Sequence, residues 1–165
     1  MRWHRQSRDV REVGALKTAV ERAGNLPWDG DRIKAAFPGK YLSVTSFRRD
    51  GTAVATPVWF VLEGEHLLVE TGAASYKVKR IRRNRSVSIA PCTASGRLRG
   101  EQVSARAEVL GPAALERVRI LAARKYRADK ILILPIYRAI QAVRHKAVNA
   151  VPEGDPVVLA ITPEG

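Results

Sequence analysis

The amino-acid sequence predicts an α+β fold, in which a β-barrel of about six antiparallel strands is accompanied by flanking helices. Two observations lead to this prediction. Short runs of β-branched and aromatic residues alternate with polar ones between glycine-containing turns, whereas other stretches place apolar residues at helical spacing. The 165 residues suffice for a single domain with its own hydrophobic core. We therefore expect one compact barrel-containing domain.

The first 38 residues predict a helical extension ahead of the barrel. Apolar residues recur at helical spacing across 9–23, and Gly24 supplies a stop signal. This helix could form a lid, a dimer contact or a decoration packed on the barrel surface. A second, short helix is predicted over 28–37, between two prolines. The barrel domain is then expected to occupy 39–165.

The first strands follow directly. Residues 40–47 alternate, with Leu42, Val44 and Ser46 on one side, and 48–51 form a hairpin turn. Residues 52–62 make the return strand. Pro57 within it cannot donate a ladder hydrogen bond, which predicts an edge, a bulge or a place where a ligand meets the backbone.

A second hairpin and a basic helix come next. Residues 67–72 form another β-type run after a turn at 63–66. Beyond Gly72, Val78 and Ile81 stand at helical spacing within a basic run, so a short helix is expected before a strand at 87–92.

The remainder of the chain adds two strands and a helical insertion. Residues 102–110 alternate as a strand with one buried side, and 156–162 close the chain as another. Between them, 112–145 are expected to be helical, beginning at Gly111-Pro112. The apolar run 131–137 is too short to cross a membrane. The apolar stripe of the first inserted helix consists of Leu115, Val118, Leu121 and Ala122.

Polar side chains collect where the second hairpin leads into the basic helix. Thr71 and Ser75 supply hydroxyl groups, and Lys77 and Arg80 lie side by side on one flank of the helix, whereas Lys79 and Arg83 are expected to point to solvent. Unpaired backbone N–H groups at a helix N-terminus favour an anion. The segment therefore predicts a phosphate site, with a solvated basic helix face as the alternative.

The charge balance limits the partners. With 29 Lys and Arg against 16 Asp and Glu, the formal charge is +13, which favours nucleic acid, an anionic membrane or a multiply anionic small molecule. Aromatic residues make up 6% and no nucleic-acid motif is visible, so nucleic acid is not the expected partner. Because the apolar run 131–137 is too short for a span, a membrane is not expected either, and a basic amphipathic surface helix is the alternative. The three histidines lack partners at ligand spacing, and no metal site is predicted.

Cysteine usage and the N-terminus predict a cytoplasmic protein. Cys92 is the sole cysteine, so no intrachain disulfide can form, as is typical of reducing compartments. It is interpreted as a small buried residue, with a reactive thiol as the alternative. The basic N-terminus is not followed by the apolar core of a signal peptide.

The phosphate segment resembles a known family. Thr71, Ser75 and Lys77 reproduce the spacing of the Thr-Asn-Tyr-x-Ser-Arg-Lys signature in flavin-binding members of the pyridoxamine 5′-phosphate oxidase-like split-barrel superfamily. Tyr76 stands where the signature has Arg, and Arg80 is the candidate replacement. Five stretches resemble the actinobacterial branch that uses the deazaflavin coenzyme F420: 45–51 (TSFRRDG), 56–60 (TPVWF), 71–72 (TG), 77–84 (KVKRIRRN) and 90–92 (APC). One departure lies at 84–85, where the family usually has Asn-Pro and this sequence has Asn84-Arg85.

The resemblance implies a fold and a function. The fold would be the FMN-binding type of split barrel, in a homodimer whose cofactor groove lies between subunits. F420 would exchange a hydride with an unidentified small organic acceptor, and no catalytic side chain is singled out. Two alternatives stay open, an FMN-binding oxidoreductase and a non-catalytic cofactor carrier or basic binding module. The implied cofactor contacts are Thr71, Ser75, Lys77 and Arg80 at the phosphate, and Thr56, Pro57, Val58 and Trp59 beside the ring.

Overall fold

A computed structural model describes residues 27–126 and 154–165. This part of the chain forms three helices and seven antiparallel strands. In chain order they are α1 (Gly30–Ala36), β1 (Tyr41–Phe47), β2 (Ala53–Trp59), β3 (Val61–Glu63), β4 (His66–Gly72), α2 (Tyr76–Arg83), β5 (Ser86–Cys92), β6 (Val103–Leu110), α3 (Ala113–Lys125) and β7 (Pro156–Pro163). The α+β class is confirmed.

The strands form a single sheet that is bent into a barrel. Their spatial order is β2-β1-β5-β6-β7-β4-β3, and all neighbouring pairs are antiparallel. β2 and β3 lie at opposite ends of this order, although only Phe60 separates them in the chain. A flat sheet would hold its end strands about 30 Å apart, so the sheet must curve until its edges approach. This geometry agrees with a split barrel.

The break at Phe60 corrects one prediction. The sequence predicted one return strand over 52–62, but the structure has two strands, because the chain leaves one edge of the sheet and joins the other at this point. Pro57 lies in β2, which pairs with β1 on one side and with no described strand on its other side. The expected edge position of Pro57 is therefore confirmed.

The main core lies on the concave side of the sheet, beneath α1 and α2. Val78 and Ile81 of α2 are fully buried there, as the helical spacing predicted. The members of this core from the strands include Leu42, Val44, Leu67, Val69, Ile89, Ala107, Leu159 and Ile161. α3 covers the opposite face through a second cluster, centred on Val118 and Tyr126.

Several local predictions are confirmed. The short helix predicted over 28–37 is α1, which Asp29 caps by accepting the Arg32 N–H at 2.8 Å. The predicted hairpin turns contain Gly51 and Gly64 at positive φ, where glycine avoids the Cβ clash. Cys92 is buried, and this burial raises the pKa of its thiol. The interpretation of Cys92 as a small buried residue is therefore supported.

Some predicted features lie outside the described residues. They are the helix of 9–23, the apolar run of 131–137, and the two histidines His4 and His145. Within the described part of the chain, none of the helices has the length and apolar character needed to cross a membrane.

Candidate functional site

The candidate site is formed where β4 ends and α2 begins. The last residue of β4, Gly72, pairs with Pro156 of β7, and its carbonyl accepts the Ser75 N–H at 3.1 Å. Ser75 precedes α2 in an extended conformation, with φ −62° and ψ 147°. Because Val78 and Ile81 are buried against the sheet, the rotation of α2 is fixed, and with it the direction in which the side chains of its first turns point.

Lys77 is bound back to the strand that precedes the helix. Its Nζ donates to Thr71 Oγ1 at 2.7 Å, in a partly buried position. The structure therefore brings together two of the predicted phosphate residues. The flexible lysine stem also allows Nζ to move towards an anion.

Arg80 is held by a residue that the sequence did not predict for the site. Its Nε donates to Ser46 Oγ at 2.8 Å, and Ser46 is fully buried in β1. One further turn along α2, Arg83 Nη2 donates to the Phe47 carbonyl at 2.9 Å. Arg83 is exposed, as predicted, but its side chain also reaches back to β1, because the end of this strand lies beneath the C-terminal half of α2.

The electrostatics of this region favour an anion. Burial lowers the pKa of the Arg80 guanidinium, and the neighbouring charges of Arg48 and Arg83 lower it further. The nearby carboxylate of Asp50 accepts the Thr52 N–H at 2.9 Å, and this backbone hydrogen bond is the largest cause of its lowered pKa. The guanidinium groups of Arg48, Arg80 and Arg83 therefore lie near one another, and a bound phosphate would relieve their repulsion.

An unsatisfied hydroxyl adds to the same picture. Ser75 Oγ is buried and has no hydrogen-bond partner, and it does not cap its own helix. A buried hydroxyl without a partner has a free-energy cost, which a ligand atom can remove. We call Ser46, Thr71, Ser75, Lys77 and Arg80 the anion corner. Its hydroxyl and cationic donors fit a phosphate group.

The four residues that were predicted to lie beside the ring, 56–59, point to two different faces of β2. Directly paired residues of antiparallel strands point to the same side of the sheet. Thr56 and Val58 pair with Val44 and Leu42 and therefore lie on the concave side, which they share with Ser46. Thr56 is thus next to Val44. Ser46 of the anion corner is the next residue of β1 on this face, about 7 Å further along the strand.

The other two ring-side candidates lie on the convex side of β2. Pro57 pairs with Ser43, and Trp59 pairs with Tyr41, whose ring it meets edge-on at a centroid distance of 6.1 Å. Trp59 also packs against Tyr126 of α3, with centroids 5.4 Å apart. The four residues of 56–59 therefore cannot all present their side chains to one ring face.

The end of α3 fixes the chain where β2 passes into β3. Tyr126 Oη donates to the Phe60 carbonyl at 2.8 Å, and Lys125 Nζ donates to the same carbonyl at 3.0 Å. Lys125 Nζ also lies 3.5 Å from the centroid of the Phe60 ring, and burial lowers the pKa of this lysine to about 8. These contacts hold the backbone next to Trp59.

Tyr76, which stands where the signature has arginine, points away from the anion corner into solvent. Tyr76 is 62% exposed, and Lys79 Nζ lies 5.5 Å from the centroid of its ring. The hydrogen bond between Arg80 and Ser46 supports Arg80 as the guanidinium of this site. Ser46 carried one sequence signal, since it is a polar residue on the otherwise apolar face of β1.

A separate cavity of about 440 Å³ lies between α2 and the end of β6. Ile81 and Ala107 are part of its lining, and an ion pair of 3.3 Å between Arg85 and Glu108 lies beside it. None of the predicted cofactor residues lines this cavity. The anion corner is therefore distinct from it.

Comparison with protein families gives one match. A model of the pyridoxamine 5′-phosphate oxidase family matches residues 31–164, which include all seven described strands and the anion corner. No curated protein matches the sequence.

Comparison with solved structures finds the same fold at low identity. A conserved hypothetical protein of Mycobacterium tuberculosis is 21% identical with a TM-score of 0.52, covering 77% of this chain and 74% of that one. A FAD-binding protein of Mesorhizobium loti is 13% identical with a TM-score of 0.51, covering 82% and 87%. An Agrobacterium tumefaciens protein of unknown function is 11% identical with a TM-score of 0.51, and the 76% of this chain that matches spans only 49% of that protein. These likenesses concern the fold alone.

Proposed function

Because the chain belongs to the pyridoxamine 5′-phosphate oxidase family, we propose that it is an oxidoreductase that binds coenzyme F420 and exchanges a hydride with a small organic acceptor. The observation that carries this proposal is the anion corner. There, the unpartnered Ser75 hydroxyl, Lys77 and a partly desolvated Arg80 all belong to the junction between β4 and α2. A phosphate would satisfy all three groups.

The anion corner would hold the phosphate of the cofactor. Lys77 and Arg80 supply charge-assisted hydrogen bonds, and Thr71 and Ser75 supply hydroxyl donors. In the present arrangement Thr71 accepts from Lys77, which leaves its own hydroxyl hydrogen available to an acceptor. Ser46 would orient Arg80 by accepting the hydrogen bond of its Nε.

The cofactor, when bound, would supply the hydride chemistry at its tricyclic ring. The chain would supply orientation. β2 is the strand at one end of the described sheet, so alternate backbone N–H and C=O groups on its outer edge can meet polar atoms of a ring. The contacts of Lys125 and Tyr126 with the Phe60 carbonyl hold this edge in place. Fixing the ring in this way is a source of rate enhancement, because it removes orientational freedom.

The charge around the anion corner supports F420 over FMN. Exposed cations continue beyond the corner on the β1–β2 turn and at the end of α2, namely Arg48, Arg49 and Arg83. F420 carries a phosphodiester and an oligoglutamate tail, whereas FMN ends at its phosphate. The five motifs that resemble the F420-using branch point in the same direction. The spacing of Thr71, Ser75 and Lys77 also suits FMN, which makes an FMN-binding oxidoreductase the second candidate.

We also propose that the protein is a homodimer with its cofactor groove between subunits, as the family resemblance implies. The convex-side position of Pro57 and Trp59 supports this, since a ring held between subunits can meet this face. Light scattering combined with size-exclusion chromatography would measure the mass of the assembly, and a mass of 18.2 kDa would contradict the proposal.

The experiment that tests the function is a parallel titration of cofactor-free protein with F420, FMN and a short oligonucleotide at two salt concentrations. We expect F420 to bind most tightly, with moderate salt dependence. Tight oligonucleotide binding with a steep salt dependence would instead indicate a nucleic-acid-binding module. If F420 binds but its reduced form is not oxidised by any of a broad panel of acceptors, the protein is a cofactor carrier.

A further inference from the structure

The loop of the anion corner is supported from behind by the start of β7. Residues 73–75 connect β4 to α2, and they lie beyond the last pair of the ladder between β4 and β7, Gly72 with Pro156. The Ala73 N–H donates to the Asp155 carbonyl at 2.9 Å. This hydrogen bond extends the ladder by one step, into the loop.

Gly154 completes the support by close approach. Its φ is +70°, and a Cβ at this position would stand 3.0 Å from both the backbone N and the Cβ of Ala74. A contact of 3.0 Å with backbone cannot be relieved by rotating a side chain, so the backbone at 74 or at 154 would have to shift by a few tenths of an ångström. Any residue larger than glycine at 154 would therefore press against Ala74, the residue next to Ser75.

The displacement matters because Ser75 has little else to hold its side chain. Its Oγ is buried without a hydrogen-bond partner, so the position of this hydroxyl depends on the backbone of the loop. The backbone in turn is fixed by the Ser75 N–H to Gly72 carbonyl bond at 3.1 Å and by the contacts with Gly154 and Asp155. Binding sites need their donors to be held within about 0.5 Å of the productive geometry, so a shift of a few tenths of an ångström takes up much of this tolerance.

We infer that Gly154 and the Asp155 carbonyl are positioning elements that set the geometry of the anion-corner loop, and thereby the affinity of the site for phosphate groups. The inference rests on the proposed anion-binding function. Neither residue belongs to the anion corner. Their effect passes through Ala73 and Ala74 to Ser75.

The test compares Gly154→Ala with Gly64→Ala. Gly64 also has positive φ, +57°, but a Cβ there would meet nothing within 4 Å. It lies in the turn before β4, at the far end of this strand from Gly72. Both substitutions place alanine in the left-handed region and share this backbone cost. Only Gly154→Ala adds the clash with the loop.

Two measurements are made on the wild type and both variants. Titrations with inorganic phosphate and with F420 give affinities, and amide hydrogen exchange reports the protection of the Ala73 and Ser75 N–H groups. We expect Gly154→Ala to weaken binding of both ligands by about two- to fivefold and to accelerate exchange at these two amides. Gly64→Ala should change neither. Equal affinities and equal exchange in the two variants would overturn the inference.

A second variant keeps the test decisive if Gly154→Ala does not fold. Adding Ala74→Gly removes the Cβ contact but leaves the backbone contact at 3.0 Å, so the double variant should bind phosphate with intermediate affinity. Wild-type affinity in the double variant would contradict the inference. If the wild type binds phosphate but not F420, the proposed function fails, and the phosphate titrations alone decide the role of Gly154. If the wild type binds neither, both conclusions fall.

Discussion

The Nε of Arg80 donates to the Oγ of Ser46 at 2.8 Å and so joins the basic helix α2 to the apolar face of strand β1 across 34 positions of the chain. Ser46 is fully buried, and burial is the main cause of the lowered pKa of Arg80. The pair therefore holds a partly desolvated cation at the end of the barrel. Such a cation gains more from an anionic ligand than an exposed one does.

Replacing Ser46 by Ala should weaken the anion corner. Arg80 would lose the acceptor that orients it, so we expect F420 affinity to fall about three- to tenfold and the free energy of unfolding to fall by about 1 kcal/mol. Ser43→Ala is the matched control, because Ser43 is equally buried in the same strand but its Oγ has no partner. Titration and urea denaturation would measure both quantities, and equal behaviour of the two variants would contradict this account.

Replacing Lys77 by Ala should remove one charge-assisted contact with the phosphate. The expected loss is roughly 1.5 to 3 kcal/mol, which corresponds to an affinity about ten- to a hundredfold lower. Lys79→Ala is the control for net charge, because Lys79 is exposed and contacts Tyr76 instead. Calorimetric titration with F420 would measure the difference. If Lys77→Ala binds as tightly as Lys79→Ala, the phosphate lies elsewhere.

Most of the strands and turns could be predicted from the sequence, because their signals are local. Alternation along β1 placed Ser46 with Leu42 and Val44, and the structure has them on one face. The break at Phe60 could not be predicted in this way. Residues on both sides of Phe60 are good strand formers, and the break follows from the closure of the sheet, which brings distant strands together.

Only those residues of the candidate site that are neighbours in the sequence, between 71 and 80, could be predicted. The neighbouring positions of Thr71, Lys77 and Arg80 follow from a strand leading directly into a helix, and the contact between Lys77 and Thr71 agrees with it. The partner of Arg80 comes from β1, and the support of the loop comes from Gly154. Sequence spacing carries no information on such contacts, since they depend on which strands become neighbours.

The Cys92 thiol should react slowly in the folded protein. It is 6% exposed, and burial raises its pKa, so both access and the thiolate fraction at neutral pH are reduced. We expect an aromatic disulfide reagent to label the native protein much more slowly than the urea-unfolded protein. Because Cys92 is the sole cysteine, the Cys92→Ala variant gives the background directly. Immediate labelling of the native protein would contradict burial of the thiol.

Lys125 should make stability depend on pH in the alkaline range. Burial lowers its pKa from 10.5 to about 8, so between these values the unfolded chain binds a proton that the folded chain does not. The free energy of unfolding should therefore rise with pH across this window. Below pH 8 both states are protonated, and the cost of burying the charge is fully present. Because part of the side chain is exposed, we expect an effect on the order of 1 kcal/mol.

The Lys125 effect is measured as the difference in the free energy of unfolding between the wild type and a Lys125 variant. Urea denaturation at pH 7.5, 9 and 10.5 would give the free energy of unfolding for the wild type, for Lys125→Met and for the exposed control Lys79→Met. Other groups that titrate in this range are common to the wild type and Lys125→Met and cancel in their difference. The wild type should gain stability relative to Lys125→Met as the pH rises, because the neutral amine still donates to the Phe60 carbonyl but no longer carries a buried charge. A constant difference across the window would show that Lys125 titrates as it does in the unfolded chain.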